Sequence, residues 1–294
     1  MKKYQLPQDS IAEKTVVALG DFDGVHKAHK KLLDKTVEIA KNKNLVSAVY
    51  TFDKSSKNIK KITPQWIKEK LIDAKGVELI VVQKADEEFF LTSCEMFVEN
   101  IVKNKLNAKT VVVGRNYTFG KGGKGTSELL SNLCRKNNIE CIVIDDVIYE
   151  GEVISSTLIR KYIAEGNIEK ANKMLGYNYI IEGVVEKGNR IGSILGFPTA
   201  NIYPTDDMAL PKFGVYIAKA TVDEKGEYDA IVNVGMKPTV KNNRLSVEAH
   251  IRGIDEELYG RYVSLSFERF LRAEKKFASV DELKEQIKED AKQF

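Results

Sequence analysis

The sequence predicts an α/β protein in two parts: a doubly wound, Rossmann-like parallel sheet, then an antiparallel β-barrel with a terminal helix. Three observations carry this. In the first half, short β-branched runs alternate with stretches of helical spacing, the pattern of a parallel sheet covered on both faces. Near residue 178 the period changes to two, with Gly, Asp, Asn and Lys between the runs, as in an antiparallel barrel. The 294 residues, 43% apolar and 30% charged, suit two globular domains of ordinary size. The boundary is expected in "LGYNY" (175–179), giving domains 1–177 and 178–294.

The buried strands of the first half read as "TVVALG" (15–20), "LVSAVYT" (45–51), "ELIVV" (78–82), "TVVVG" (110–114) and "ECIVID" (140–145). Leu32, Leu33, Ile39 and Ala40 mark the first helix, and others are expected near 65–75, 93–105 and 127–137. "SSTLIRKYIAEG" and "NIEKANKMLG" add two more. The barrel strands read as "YIIEGVVEKG", "GVYIAKATVD", "YDAIVNVG", "RLSVEAHI" and "RYVSLSFERF". The last helix, "SVDELKEQIKEDAKQF", opens on a Ser279 cap with carboxylates in its first turn.

Composition narrows the function classes. Net charge is +4, from 46 basic and 42 acidic residues, too balanced to call for nucleic acid. The stretches "HKAHKKLLDK" and "KSSKNIKKI" are locally basic, either as solvated faces or as a field that attracts polyphosphate. Cys94, Cys134 and Cys141 have no CxxC spacing, which argues against a disulfide framework or a zinc site. Apolar runs reach about five residues where a bilayer span needs roughly 20, and "MKKYQLPQDS" has no apolar stretch after its lysines. A cytoplasmic protein without membrane or nucleic-acid partners is expected.

Two of only three histidines fall in "GDFDGVHKAHKKLL" (20–33), after the first strand. In an open parallel sheet, ligands sit at the carboxyl ends of the strands. Gly20 and Gly24 let the backbone turn sharply beside a ligand. His26 and His29 share a helix face at its N-terminus, where free N–H groups favour an anion. A phosphate site, a pair of structural histidines and a metal site all remain open, although zinc would require a third protein ligand. "GRNYTFGKGGKGTSELL" (114–130) resembles a P-loop but lacks its lysine, because Thr126 follows Gly125 directly. It leaves a basic loop before a helix capped by Thr126 or Ser127. In "ISSTLIRKY" (154–162), Ser155, Ser156 and Thr157 offer hydroxyls at a helix start and Arg160 follows one turn later. These are either N-cap groups or phosphate donors.

The barrel half has its own polar cluster. In "RIGSILGFPTANI" (190–202), Pro198 fixes the backbone, and Thr199 and Asn201 face one way if the chain is extended. Their oxygens suit magnesium beside ATP phosphates, although a simple turn is the alternative. "SVEAHI" (246–251) places Glu248 and His250 on one face of a strand. Glu248 is either an exposed carboxylate or a general base for an alcohol, which must lose a proton when it attacks.

Taken together, "GDFDGVHKAH" and "ISSTLIR" resemble the HxGH-type nucleotidyltransferases, and specifically the FAD synthetase half of bacterial bifunctional riboflavin kinase/FAD synthetases. "VGRNYTFG" is similar to that family's glycine–Asn–aromatic loop. "LGFPTANI", "GVY" (214–216), "VNVGMKPT" (232–239), "VEAHI", "LYG" (258–260) and "LRAEKKF" (271–277) resemble the riboflavin kinase module in its usual order. Departures are Ala28 for the glycine of HxGH, "DKSSKNIK" without the usual prolines, and Gly192-Ser193 for a common Gly-Arg, with Arg190 nearby.

The resemblance implies riboflavin, FMN and ATP as substrates, FAD and pyrophosphate as products, and Mg²⁺ with the ATP. It assigns Glu248, His26, His29 and Arg160 to catalysis. ATP binding falls to Gly20, Phe22, Asp23, Gly24, Ser155, Ser156 and Thr157 in the first half, and to Gly188, Gly196 and Pro198 in the second. Asn116 and Arg272 would hold flavin, and Thr199 and Asn201 the metal. Two alternatives stay open at this point: a riboflavin kinase with an impaired adenylyltransferase half, and a non-catalytic flavin-binding regulator.

Overall fold

Valine-rich runs build the first sheet. In a computed structural model of the chain, β1 (Lys2–Leu6), β2 (Thr15–Leu19), β3 (Val46–Phe52), β4 (Leu79–Gln83), β5 (Ala108–Gly114) and β6 (Glu140–Ile144) pair in parallel in the order β1-β4-β3-β2-β5-β6. The structure describes residues 1–53, 59–187, 196–205, 207–223, 225–238, 243–254 and 256–293. The expectations for Gly188, Arg190, Gly192, Ser193 and most of "DKSSKNIK" fall outside the described residues.

Alternation along each strand sends side chains to two cores. Val17, Leu19, Tyr50 and Val81 face one cluster; Val16, Ala18, Val49 and Ile80 face the other. Helix α1 (Lys27–Lys43) and α2 (Gln65–Asp73) cover the second face through Leu33, Ile39 and Ile72. Helix α3 (Ser127–Lys136) and the segment Phe97–Lys105 cover the first. The sheet is therefore doubly wound. Its strand order reverses between β2 and β5, the crevice where such sheets take ligands.

Local differences from the sequence reading have local causes. The expected helix over 93–105 is a short α-turn, Cys94–Met96, followed by a π-helix, Phe97–Lys105. Leu106 N–H reaches back five residues to Ile101 O at 2.8 Å. Phe97, Val98, Val102 and Leu106 are spaced so that this wider turn aims all of them at the sheet. Strand β6 is not buried as expected: it is an edge strand with Val143 exposed. Thr126, not Ser127, caps α3, accepting the Leu129 N–H at 3.2 Å.

The second half is a closed antiparallel barrel, as its period-two pattern implies. Strands β7 (Tyr179–Glu186), β8 (Ala200–Ile202), β9 (Gly214–Val222), β10 (Gly226–Pro238), β11 (Asn243–Ile251) and β12 (Tyr262–Arg272) close in the order β7-β8-β11-β10-β9-β12. The chain divides into compact units Met1–Ser156 and Thr157–Phe294. Helices α4 (Ser156–Glu165) and α5 (Ile168–Leu175) thus fall almost wholly in the second unit. Asn172 on α5 fixes its helix to the barrel, donating to Phe267 O at 2.8 Å and accepting Tyr179 N–H at 2.7 Å. Terminal helix α6 (Val280–Ala291) starts at Ser279, whose Oγ accepts the Glu282 N–H at 3.2 Å.

Candidate functional site

The first unit gathers its polar groups at the carboxyl ends of β2, β3 and β5. Helix α1 begins at His26, an extended N-cap whose Nδ1 accepts the His29 N–H at 3.3 Å. The two imidazoles stack with centroids 3.6 Å apart and planes 15° from parallel. Two charged rings so close would repel by on the order of 4 kcal/mol, which disfavours a doubly protonated pair. Burial pushes the His29 imidazole well below its ordinary range, with further contributions from His26 and Lys68. The first turn of α1 has no acidic residue and carries Lys27 and Lys30, so the helix dipole is left for an outside anion.

The loop before α1 is held in an uncommon shape. Phe22 and Val25 adopt positive φ of 56° and 34°, and Gly24 lies at 80°. Strain of this kind persists only where surrounding contacts fix it. Here Asp23 accepts the N–H of Ile62 at 2.9 Å and of Thr63 at 3.3 Å, while Gly24 N–H donates to Thr63 Oγ1 at 3.2 Å. Ser156 Oγ donates to Asp23 O at 2.9 Å. A Cβ on Gly20 would stand 3.2 Å from the Phe22 ring, which lies 5.1 Å from His29 between centroids.

Asn116 is exposed at the end of β5, across the switch point from β2. Ser155 precedes α4 and Ser156 opens it, whereas Thr157 and Arg160 follow on the same helix in the second unit. The basic face of α1 lines a groove of about 500 Å³ in which Lys27, Lys30, Lys31 and Lys35 alternate with Asp34 and Glu38. Among the described residues no group of three His, Cys, Asp or Glu is placed to hold a metal, so the histidine pair has no third ligand of those types there.

In the barrel, register rather than sequence proximity assembles the site. Glu248 on β11 pairs with Asn201 on β8 on one side and with Asn233 on β10 on the other. The same row continues through Val215 on β9 to Arg272 on β12. Thr199 stands just before β8, and Asn201 Nδ2 donates to its carbonyl at 3.3 Å. Gly196, Pro198 and Thr199 line a cavity of about 390 Å³ with Ile254, Leu258 and Tyr259. His250 secures this turn: its Nδ1 lies 3.0 Å from Pro198 O, which only accepts, and its ring meets Phe197 edge-on at 5.3 Å. Arg272 is held by Asp290 of α6, with Nε 3.0 Å and Nη2 2.6 Å from the carboxylate oxygens. Asn233, Asp290, Thr63 and Lys68 escaped the sequence reading. Only Asn233 left a signal, as a polar residue inside the apolar run "AIVNVG".

Comparison with known proteins agrees with both halves. The FAD synthetase family model matches residues 8–158 and the riboflavin kinase family model residues 175–294. The bifunctional riboflavin kinase/FMN adenylyltransferase of Bacillus subtilis is 35% identical over 291 residues, covering 94% of this chain and 90% of its own. That of Escherichia coli K12 is 30% identical over 293 residues, covering 97% and 92%. A crystal structure described as a macrolide-efflux protein from Streptococcus pneumoniae superposes with a TM-score of 0.91 at 30% identity, covering 99% of this chain and 98% of its own. Among the described residues no helix is long and apolar enough to cross a membrane. With both modules matched in order over nearly the whole chain, the protein belongs to the bifunctional riboflavin kinase/FMN adenylyltransferase family.

Proposed function

We propose that the family's two activities are divided between the two modules, expected at 1–177 and 178–294, with riboflavin phosphorylated to FMN on the barrel and FMN adenylylated to FAD, releasing pyrophosphate, on the parallel-sheet module. The observation that supports this division is the separation of two unlike polar clusters: the stacked histidines belong to the first compact unit, the Asn201–Glu248–Asn233 row to the second.

The chemistry follows the attacking group. The FMN phosphate arrives ionised and needs no base; the site must hold negative charge on phosphate oxygens. His26 Nδ1 accepts the cap hydrogen bond, so in the neutral ring the proton sits on Nε2, a donor of the kind phosphate oxygens take. Gly20, Phe22, Asp23 and Gly24 shape the loop against ATP, Ser155 adds a hydroxyl, and Ser156 braces that loop through Asp23 O. For Thr157 and Arg160 on the same helix, and for Asn116 as a flavin contact, the family resemblance is the support.

On the barrel, Glu248 takes the proton from the ribityl hydroxyl as it attacks the γ-phosphorus of ATP, and the bond to the β–γ bridging oxygen breaks to release ADP. The Thr199 hydroxyl and the Asn201 amide oxygen fit Mg²⁺, being hard oxygen donors beside the Pro198 turn. Bound there, the ion would neutralise charge on the ATP phosphates. Gly196 and Pro198 flank the nucleotide, and Arg272 holds the flavin side. A cytoplasmic enzyme with soluble substrates is part of this reading. Riboflavin, ATP and Mg²⁺ supplied together, with products separated by chromatography, test the reading. FMN followed by FAD is expected; FMN alone would favour the kinase-only alternative.

A further inference from the structure

Lys68 is a buried cation with no part in the chemistry above. On α2, it is only 5% exposed. Its Nζ lies 3.1 Å from Asp21 O, 3.2 Å from Thr51 Oγ1 and 3.3 Å from Phe52 O, which uses all three ammonium hydrogens. Asp21 Oδ1 stands farther off, at 3.8 Å. Removing an ammonium from water is costly unless it is fully hydrogen-bonded, and a methionine would fill the same space without that cost.

The three acceptors lie just past the carboxyl end of β2 and at the end of β3. Thr51 Oγ1 also donates to Asp21 O at 2.7 Å, so that carbonyl is held twice. The next residue is Phe22, with φ 56°, and its ring packs on His29. A continuous set of contacts therefore runs from the Lys68 ammonium through the Asp21 carbonyl and the Phe22 ring to the catalytic imidazole.

We propose that Lys68 is a positioning residue for adenylyl transfer, tying the ends of β2 and β3 together so that the Phe22 turn aims the histidine pair. The proposal rests on the assignment of His26 and His29 to that reaction. The charged groups facing Lys68 are Asp21 and Asp23 from the β2–α1 loop, Lys61 from the segment before α2, and Glu69 on α2 itself. The ammonium in turn disfavours protonation of His29, as does His26.

The test is Lys68→Met in the full chain. Because misaimed groups cost up to about 100-fold in rate, we expect kcat for FAD formation from FMN and ATP to fall at least about tenfold. Riboflavin phosphorylation stays at the wild-type rate. The His29 imidazole, resolved by NMR among only three histidines, titrates at higher pH. Lys68→Arg restores the charge without the three-way geometry, so the titration recovers and the rate does not. A folded Lys68→Met within about twofold of wild-type kcat would overturn the proposal, as would full recovery of rate by Lys68→Arg. Should Lys68→Met not fold, Thr51→Val keeps the charge but removes one acceptor: a loss of FAD-forming kcat supports the proposal and a wild-type kcat overturns it. His29→Ala separates the two readings. If that variant still makes FAD, the site assignment fails; if it does not while Lys68→Met does, only the role of Lys68 fails.

Discussion

At the scale of single residues, His29 shows how burial selects a protonation state. Its folded-state pKa is depressed, so the folded protein keeps this ring neutral where an unfolded chain takes up a proton, below about pH 6.5. The unfolded state then binds more protons, and stability falls as pH falls through that range. Denaturant midpoints at neutral and mildly acidic pH should therefore diverge in the wild type and converge in His29→Gln; an unchanged slope in the variant would contradict the account. The role proposed for Glu248 is of the opposite kind, that of a carboxylate accepting a proton from the attacking hydroxyl. Glu248→Gln is expected to lower FMN formation by about 100-fold or more while leaving FAD formation from supplied FMN intact, as read by separate assays. Both residues were legible in the sequence because their surroundings, "GVHKAH" and "SVEAHI", carry the pattern locally. Lys68 was not, since nothing in "QWIKEKLID" separates its lysine from the surface lysines around it until the helix is seated on the sheet.

At the scale of elements, terminal helix α6 docks on the barrel through the Arg272–Asp290 ion pair and through Ala291, which packs against Val215, Ile217 and Ile231. Asp290 is 4% exposed and meets Arg272 with two nitrogens, while Gln286 Nε2 donates to the same carboxylate at 3.0 Å. Asp290→Ala leaves the guanidinium without its partner and should cost about 3 kcal/mol of stability. If Arg272 holds flavin as proposed, the same variant raises the KM for riboflavin more than that for ATP. An unaltered melting temperature and KM would show that the helix is held by other contacts. The start of α6 could be read from Ser279 and the acidic first turn, but its docking could not, because Asp290 finds its partner in another element. In the main sheet and the barrel, two strands were missed for local reasons. β1, "KKYQL", is mostly exposed at the sheet edge beside β4, and β8 has only three residues, too few to show a period.

At the scale of the whole molecule, two periodicities announced two modules, and each proved to have the architecture its pattern implied. Pairing register was the part that could not be read in advance: Asn201, Glu248 and Asn233 are far apart in sequence and adjacent only across three strands. As proposed, one module suits an attacker that is already an anion and the other an attacker that must give up a proton. The most direct measurement gives wild type, His29→Ala and Glu248→Gln either riboflavin or FMN, with ATP and Mg²⁺, and separates the products. The account predicts that His29→Ala stops at FMN, and that Glu248→Gln leaves riboflavin unconverted yet still turns FMN into FAD. Equal loss of both activities in either variant, or loss of neither, would contradict it.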